Sequence, residues 1–185
     1  ASTRSCLTRR RRIAAAAQEM ERTIDLLFAL AREERAGTDR KPVELLPLIE
    51  SALLDASDRF DGSAYDVEIA VPAGTTVFAG LTGLARILAN LIGNAFQHAR
   101  GGRLAISFAN GRLSIIDDGP GIAVEVIATE EVAFVKGNAS AGHGLGLGIV
   151  RKLCEREGIV PDFETSKDGT TVRLVFARPL ALGTS

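Results

Sequence analysis

From Ile13 onward, apolar and small residues recur at alternating steps of four and three: Ile13, Ala17, Met20, Ile24, Leu27 and Ala31. The charged residues Glu19, Arg22, Asp25 and Arg32 lie off that seam. This is the heptad stripe of a packed helix, so the spacing predicts one helix over 10–35 whose stripe faces another helix or a domain surface. The stretch Ala36-Gly37-Thr38-Asp39-Arg40-Lys41-Pro42 then breaks the period with glycine, polar residues and proline, as a linker does. The boundary is placed near residue 40, giving a helix with linker over 1–40 and a domain over 41–185.

Within the domain, Val43 to Leu46 reads as a short strand, and Leu48, Ile49, Ala52, Leu53 and Ala56 mark a helix over about 47–59. Asp66 to Val71 and Thr75 to Ala79, separated by Pro72-Ala73-Gly74, read as two strands about a tight turn. A long helix is expected from Leu81 to Ala99, with Leu84, Leu88, Leu91, Ile92 and Ala95 as its buried stripe. Leu104 to Phe108 and Leu113 to Asp117 flank Asn110-Gly111, the strongest hairpin signal in the chain. After a glycine-rich stretch over 119–141, a helix is expected over about 145–157, then strands near 162–166 and 171–176 around Asp168-Gly169. Hairpins with helices interposed predict an α+β fold, with one mixed, mainly antiparallel sheet covered by helices on one face and one long helix before it. A doubly wound parallel sheet fits this order poorly.

Composition narrows the class. Of the 185 residues, 46% are apolar and 24% charged, a balance that supports a folded core rather than disorder. A formal charge of −1 gives no general attraction to polyanions, and the run Arg9 to Arg12 reads as a solvated helix start, so no nucleic-acid partner is expected. Cys6 and Cys154 are far apart without a CxxC partner, which suggests neither a disulfide framework nor a zinc site and fits a reducing, cytoplasmic setting. No run approaches the roughly 18 apolar residues of a membrane span.

Three segments carry candidate chemistry. On the helix over 81–99, Asn90, Asn94 and His98 recur every fourth residue, so they share one face beside the core stripe. Asparagine is a poor helix former. Alone, the pair of amides serves equally as solvated surface or as a ligand site. An amide oxygen is a suitable neutral ligand for Mg²⁺ when substrate phosphates already balance the ion, which makes Asn94 the candidate metal ligand. Asp117-Asp118-Gly119-Pro120-Gly121 ends a strand with a carboxylate and glycines; alone it is a plain turn or a binding site. As a site, Asp117 accepts a hydrogen bond from an exocyclic amine such as that of adenine. Gly142-His143-Gly144-Leu145-Gly146-Leu147-Gly148 leads into a helical pattern. Seven of the chain's 19 glycines lie between 119 and 148, a density that favours backbone amides offered to phosphate at a helix N-terminus.

Other phosphate loops fail. Gly137 to Gly142 has the P-loop spacing, but His143 stands where the lysine belongs. The dinucleotide fingerprint is off register, no strand immediately precedes the loop, and no HRD-type catalytic loop exists.

Taken together, these segments resemble the motifs of sensor histidine kinases. Leu88-Ala89-Asn90-Leu91-Ile92-Gly93-Asn94-Ala95-Phe96-Gln97-His98-Ala99 resembles the N box, and Asp117-Asp118-Gly119-Pro120-Gly121-Ile122 the G1 box. Gly142-His143-Gly144-Leu145-Gly146-Leu147 resembles the G2 box, and Phe134-Val135-Lys136-Gly137 is similar to the end of the F box in the ATP lid. Residues 10–35 are similar to the second helix of the dimerisation and phosphotransfer hairpin. The resemblance covers roughly 41–178 and implies the Bergerat fold, a two-layer α/β sandwich shared with gyrase-type topoisomerases, heat-shock chaperones and mismatch-repair ATPases. It implies ATP and Mg²⁺ as ligands, with Asn94 on the metal and Asn90 and His98 on phosphates or metal. It places adenine on Asp117 and the pocket wall at Gly119, Gly121, Ile122, Gly142, His143, Gly144, Leu145, Gly146 and Leu147, with Lys136 as a lid contact.

It further implies transfer of the γ-phosphate to a histidine, relay to a response regulator aspartate, a homodimeric parent, and a bacterial inner-membrane sensor with this domain in the cytoplasm. The hydrolysing relatives carry glutamate where this chain has Asn90, and an amide is no general base, which favours transfer over hydrolysis. The departures are equally specific. The only histidines are His98 and His143, both within ATP-site motifs, and no His-Glu-[aliphatic]-Arg-Thr-Pro segment is present, so this chain is not expected to phosphorylate itself. The acceptor helix is expected upstream. The F box also lacks its earlier phenylalanine, with Val132-Ala133 before Phe134. An anti-sigma-type serine kinase, or a non-catalytic nucleotide-binding or dimerisation module, is the alternative reading.

Overall fold

The computed structural model describes residues 39–60, 65–98, 102–121 and 145–177. The predicted heptad helix over 10–35 and most of the glycine-rich stretch lie outside these residues. Strand β1 (Lys41–Glu44) leads directly into α1 (Leu45–Phe60), two residues earlier than the spacing predicts. Pro47 is tolerated there because first-turn amides have no partner within the helix, and the Leu45 amide instead donates to the Thr75 carbonyl at 2.9 Å. The buried positions of α1, Leu45, Ile49, Ala52 and Ala56, follow the helical period that the sequence displayed.

Strands β2 (Asp66–Ala70) and β3 (Thr76–Ala79) do not form the hairpin expected of them. β3 pairs antiparallel with β1, Lys41 opposite Ala79, while β2 runs parallel to β4, Asp66 opposite Arg103. Between them Val71 turns inward, 8% exposed, and the Thr75 hydroxyl and amide close a turn on the Pro72 carbonyl at 2.6 and 3.2 Å. The chain thus leaves one sheet for another at the turn.

Helix α2 (Leu81–His98) is followed by β4 (Arg103–Ala109) and β5 (Arg112–Asp117), then α3 (Leu145–Glu157), β6 (Ile159–Ser166) and β7 (Gly169–Phe176). Asn110 and Gly111 both take positive φ, 53° and 74°, the pair of left-handed residues that a tight two-residue hairpin demands. The result is a five-stranded sheet ordered β2-β4-β5-β7-β6, mixed and mainly antiparallel, beside the two-stranded β1-β3 ribbon. Pro161 is accommodated because β6 is an edge strand.

One face of the sheet, through Leu104, Ile106, Leu113, Ile115, Val172 and Leu174, joins Leu84, Ile87, Leu88, Leu91, Ile92 and Ala95 of α2 and Val150, Leu153 and Cys154 of α3 in a single core. The opposite face is exposed and mixed, with Arg173 between Asp162 and Glu164 and with Ile116 and Val160 also open to solvent. This is the expected α+β sandwich.

Register fixes the two ends of the molecule. Asp117 pairs with Leu104 and with Thr170, so the end of β5, the start of β4 and the β6–β7 turn share one pole, and the C-terminal end of α2 feeds that pole through Gly102. Ile159 pairs with Phe176 at the far pole, where α3 ends. Over thirteen residues α3 rises about 20 Å, which brings its head back to the pole of Asp117. Helices α2 and α3 therefore lie antiparallel.

Candidate nucleotide site

Asp117 continues the inward series of Leu113 and Ile115 on β5, as the two-residue period of a strand requires. Its side chain is half-buried, and its Oδ1 accepts from the Gly119 amide at 2.9 Å. Burial raises the carboxyl above its ordinary range; the amides of Gly119 and Thr170 pull it back and the neighbouring Asp118 pushes it up. The net direction is upward, so desolvation outweighs the two amide bonds. A half-desolvated acceptor of this kind, held by backbone donors, is suited to an uncharged donor rather than to a phosphate.

Asp118, which sequence reasoning left without a role, stands next in line. Its Oδ1 is buried and has no hydrogen-bond partner among the described residues. A buried oxygen in that condition costs free energy unless something donates to it. Its charge also contributes, after burial, to raising the Tyr65 phenol, whose hydroxyl donates to the Phe96 carbonyl on α2. Tyr65 stacks on Phe96 with ring centroids 4.3 Å apart. The segment after β5 is thereby set against the last turns of α2.

Gly121, at φ 77°, has no room for a side chain: a Cβ there would collide with the Ser166 carbonyl oxygen, with the Thr165 hydroxyl 2.8 Å away. The turn of the Asp117–Gly121 segment is thus pressed onto the β6–β7 hairpin. Gly119 is buried.

On α2, Asn90 and Asn94 are both half-buried, at the edge of the core stripe where the four-residue spacing put them. The Asn90 Nδ2 donates to the Arg86 carbonyl one turn back at 2.8 Å, a bond that fixes the amide and turns its oxygen outward as an acceptor. His98 is the last residue of the helix. Leu145 and Gly146 form the first turn of α3, and Leu147 is 5% exposed within the core. Ile122, Lys136, Gly142, His143 and Gly144 lie outside the described residues. The topology directs Asp117, Gly119, Gly121, the C-terminal half of α2 with Asn94, and the head of α3 towards one pole of the sandwich, with Asn90 at the middle of α2.

The family model described as "Histidine kinase-, DNA gyrase B-, and HSP90-like ATPase" matches residues 80–180, more than half of the chain. The chain belongs to this family. It is therefore an ATP-binding domain, and the family's span begins at the N-terminus of α2 and takes in every motif assigned above. Sensor protein QseC of Salmonella typhi is 27% identical over 154 residues, 80% of this chain and 34% of its own length. The chain thus spans about a third of the curated relatives of this kind. Among solved structures, the mycobacterial sensor histidine kinase MprB aligns with a TM-score of 0.60 at 24% identity, over 76% of this chain and all of its own. Full-length ShkA, solved in complex with AMPPNP, aligns at 0.64 and 26% identity over 97% of this chain and 40% of its own. The fold is that of histidine kinase catalytic domains. Among the described residues no helix is long and apolar enough to cross a membrane, and none of the His, Cys, Asp and Glu side chains gather as a metal-holding group.

Proposed function

We propose that this domain holds Mg-ATP and presents its γ-phosphoryl group to a histidine on a dimerisation helix outside this chain, for relay to a response regulator aspartate. What supports the reading is a topology that directs the strand-end carboxylate of Asp117, the C-terminal half of α2 and the head of α3 towards one pole. The donor chemistry fits a magnesium-bound nucleotide. Asp117 accepts from the adenine amine, with the orphaned Asp118 oxygen beside it as a further acceptor for a neutral donor. Asn94 offers an amide oxygen to the metal, the neutral kind of ligand that Mg²⁺ uses when phosphates supply the charge. Backbone amides at the head of α3 meet phosphate where the helix dipole favours it. When bound, Mg-ATP supplies the phosphoryl group and the ion offsets charge on its oxygens.

The chain's own part is positioning and charge stabilisation. With its Nδ2 donating to the Arg86 carbonyl, Asn90 offers an amide oxygen that suits a metal or a water hydrogen but is too weak a base to take a proton from water, which supports transfer over hydrolysis. With histidines only at 98 and 143, the acceptor comes from another segment or subunit. The division into a linker helix over 1–40 and a catalytic domain over 41–185, a homodimeric parent, and a bacterial inner-membrane sensor with this domain on the cytoplasmic side belong to the same proposal.

Calorimetric titration with ATP and Mg²⁺ tests it. Asp117→Ala is expected to weaken binding roughly 10- to 100-fold, the loss of a bond of about 1.5–3 kcal/mol to a charged acceptor. Equal affinity in the variant removes Asp117 from adenine recognition.

A further inference from the structure

At the far pole from the site lies a buried charge that the nucleotide chemistry does not use. Glu157 is the last residue of α3 and is 5% exposed. The position is unfavourable by itself, because the C-terminal end of a helix carries partial negative charge that repels a carboxylate. What compensates is the neighbouring helix: Glu157 Oε2 accepts from the Gly80 amide at 2.6 Å, at the N-terminus of α2, where the carbonyl of Gly80 also takes the first helical bond from the Leu84 amide at 3.0 Å. The fit is close. A Cβ on Gly83, in the first turn of α2, would collide with the Glu157 carboxylate, so the space for this group exists only because residue 83 is glycine. Arg40, the residue before β1, donates from Nη2 to the Arg156 carbonyl, placing a cation on the same end of α3. The negative end of one helix and the positive end of the other are thus joined through one carboxylate, with the interdomain linker fastened to the joint.

The same two helices carry the proposed nucleotide-facing groups away from this lock, Asn90 at the middle and Asn94 in the C-terminal half of α2, and the first turn of α3 at its other end. Helices are stiff along their axes, so a lock at one end sets the stagger at the other. We infer that Glu157 is a positioning residue for phosphate and metal binding: through Gly80 and Gly83 it fixes α3 against α2, and so sets how the head of α3 meets Asn90 and Asn94. This rests on the nucleotide reading given above. Asp117 lies on β5, outside the helix pair, so base recognition is independent of the lock.

The test uses the full 185-residue chain, with Mg-ATP and adenosine as separate calorimetric probes and thermal melting alongside. Glu157→Ala removes the lock and Gly83→Ala expels it sterically. Both are expected to weaken Mg-ATP roughly 2- to 30-fold, the range of coupling through packed networks, and to leave adenosine affinity at the wild-type value. Glu157→Gln, whose amide oxygen still accepts from Gly80, is expected to restore most of the Mg-ATP affinity. Where Glu157→Ala does not fold, Gly83→Ala and Glu157→Gln decide by the same pattern. Wild-type Mg-ATP affinity in the folded variants overturns the inference and leaves Glu157 as a helix cap. Parallel loss of both probes with a lowered melting temperature overturns it as well, because loosening of the whole domain then explains the loss. A wild-type chain that binds neither probe overturns the nucleotide reading itself, a result distinct from variants that bind as wild type does.

Discussion

Two ionisable groups in this domain, half-buried Asp117 and fully buried Cys154, have their pKa raised by the same cause, desolvation, and differ in what opposes it. In Asp117 burial raises the carboxyl, and two backbone amides keep an ionised acceptor within reach. In Cys154, fully buried in α3, no bond opposes burial, and the thiol is pushed up to about 12, first by desolvation and then by the charge of Glu157. A thiol so placed is a packing group, not a nucleophile. The sign of its effect on stability follows from linkage. The unfolded thiol loses its proton near 9.0 and the folded one near 12, so the contribution is fully present below the first value and is lost as pH rises towards the second. Chemical denaturation of wild type and Cys154→Ala, followed from neutral pH to about pH 11, checks this. Wild type is expected to lead at neutral pH because the variant leaves a cavity, and the gap is expected to close as the medium becomes alkaline. A gap that stays constant contradicts the assignment. At this scale the sequence was informative where a residue type was out of place: two asparagines beside a helix stripe, half-buried as their spacing put them, flagged a candidate site that the pair alone did not decide. Glu157 was equally out of place, an acidic residue at a helix C-terminus, but its meaning depends on Gly80, seventy-seven positions away.

Elements with a local cause were legible. Asn110-Gly111 dictated its hairpin, since the turn needs two left-handed residues and nothing distant competes. The helix from Leu145 to Glu157 was readable to its ends. The start of β6 was not: the strand ends at Ser166 as expected but begins at Ile159, three residues before the expected start, because pairing with β7 as far as Phe176 supplies ladder bonds that the local pattern around Pro161 does not announce. β2 and β3 failed for a related reason. A tight turn between two strands fixes their proximity but not their partners, and β2 gained a parallel neighbour only after α2 had crossed over to deliver β4. That crossover is fastened by Tyr65, whose hydroxyl donates to the Phe96 carbonyl while its ring stacks on Phe96. Tyr65→Phe keeps the stack and loses the bond, so denaturation is expected to show a loss of about 1 kcal/mol. Tyr65→Leu, which also removes the ring pair, is expected to cost about 0.5–1.5 kcal/mol more. If the two variants are equally stable, the ring pair contributes nothing and the hydroxyl alone joins the strand to the helix.

On the scale of the whole molecule, three motifs between Asn90 and Leu147 were recognisable together because their order and spacing are those of one family, and the family's span over 80–180 contains them all. Their convergence follows from topology. Asp117 lies at the end of a strand paired to β4, the strand that α2 feeds, and α3 runs antiparallel to α2, so chain direction alone carries the three to one pole. The source of the acceptor is the remaining question, and it has a chemical answer. If, as proposed, this domain only positions the γ-phosphoryl group, it labels nothing of its own, because its histidines, His98 and His143, lie within the segments that resemble ATP-site motifs. Incubated with γ-labelled ATP and Mg²⁺, the chain alone is expected to remain unlabelled. Adding a separately produced histidine-bearing hairpin from the parent protein is expected to place label on the hairpin, and Asn94→Ala to abolish it. The bond formed joins phosphorus to an imidazole nitrogen, which acid protonates into a leaving group, so the label must wash out in acid and survive alkali. Acid-stable label on an anti-anti-sigma protein instead assigns the domain to the serine kinases. ATP binding with no label on either acceptor leaves a nucleotide-binding module whose partner reads the lid or the dimer, and returns the question to the helix predicted over 10–35.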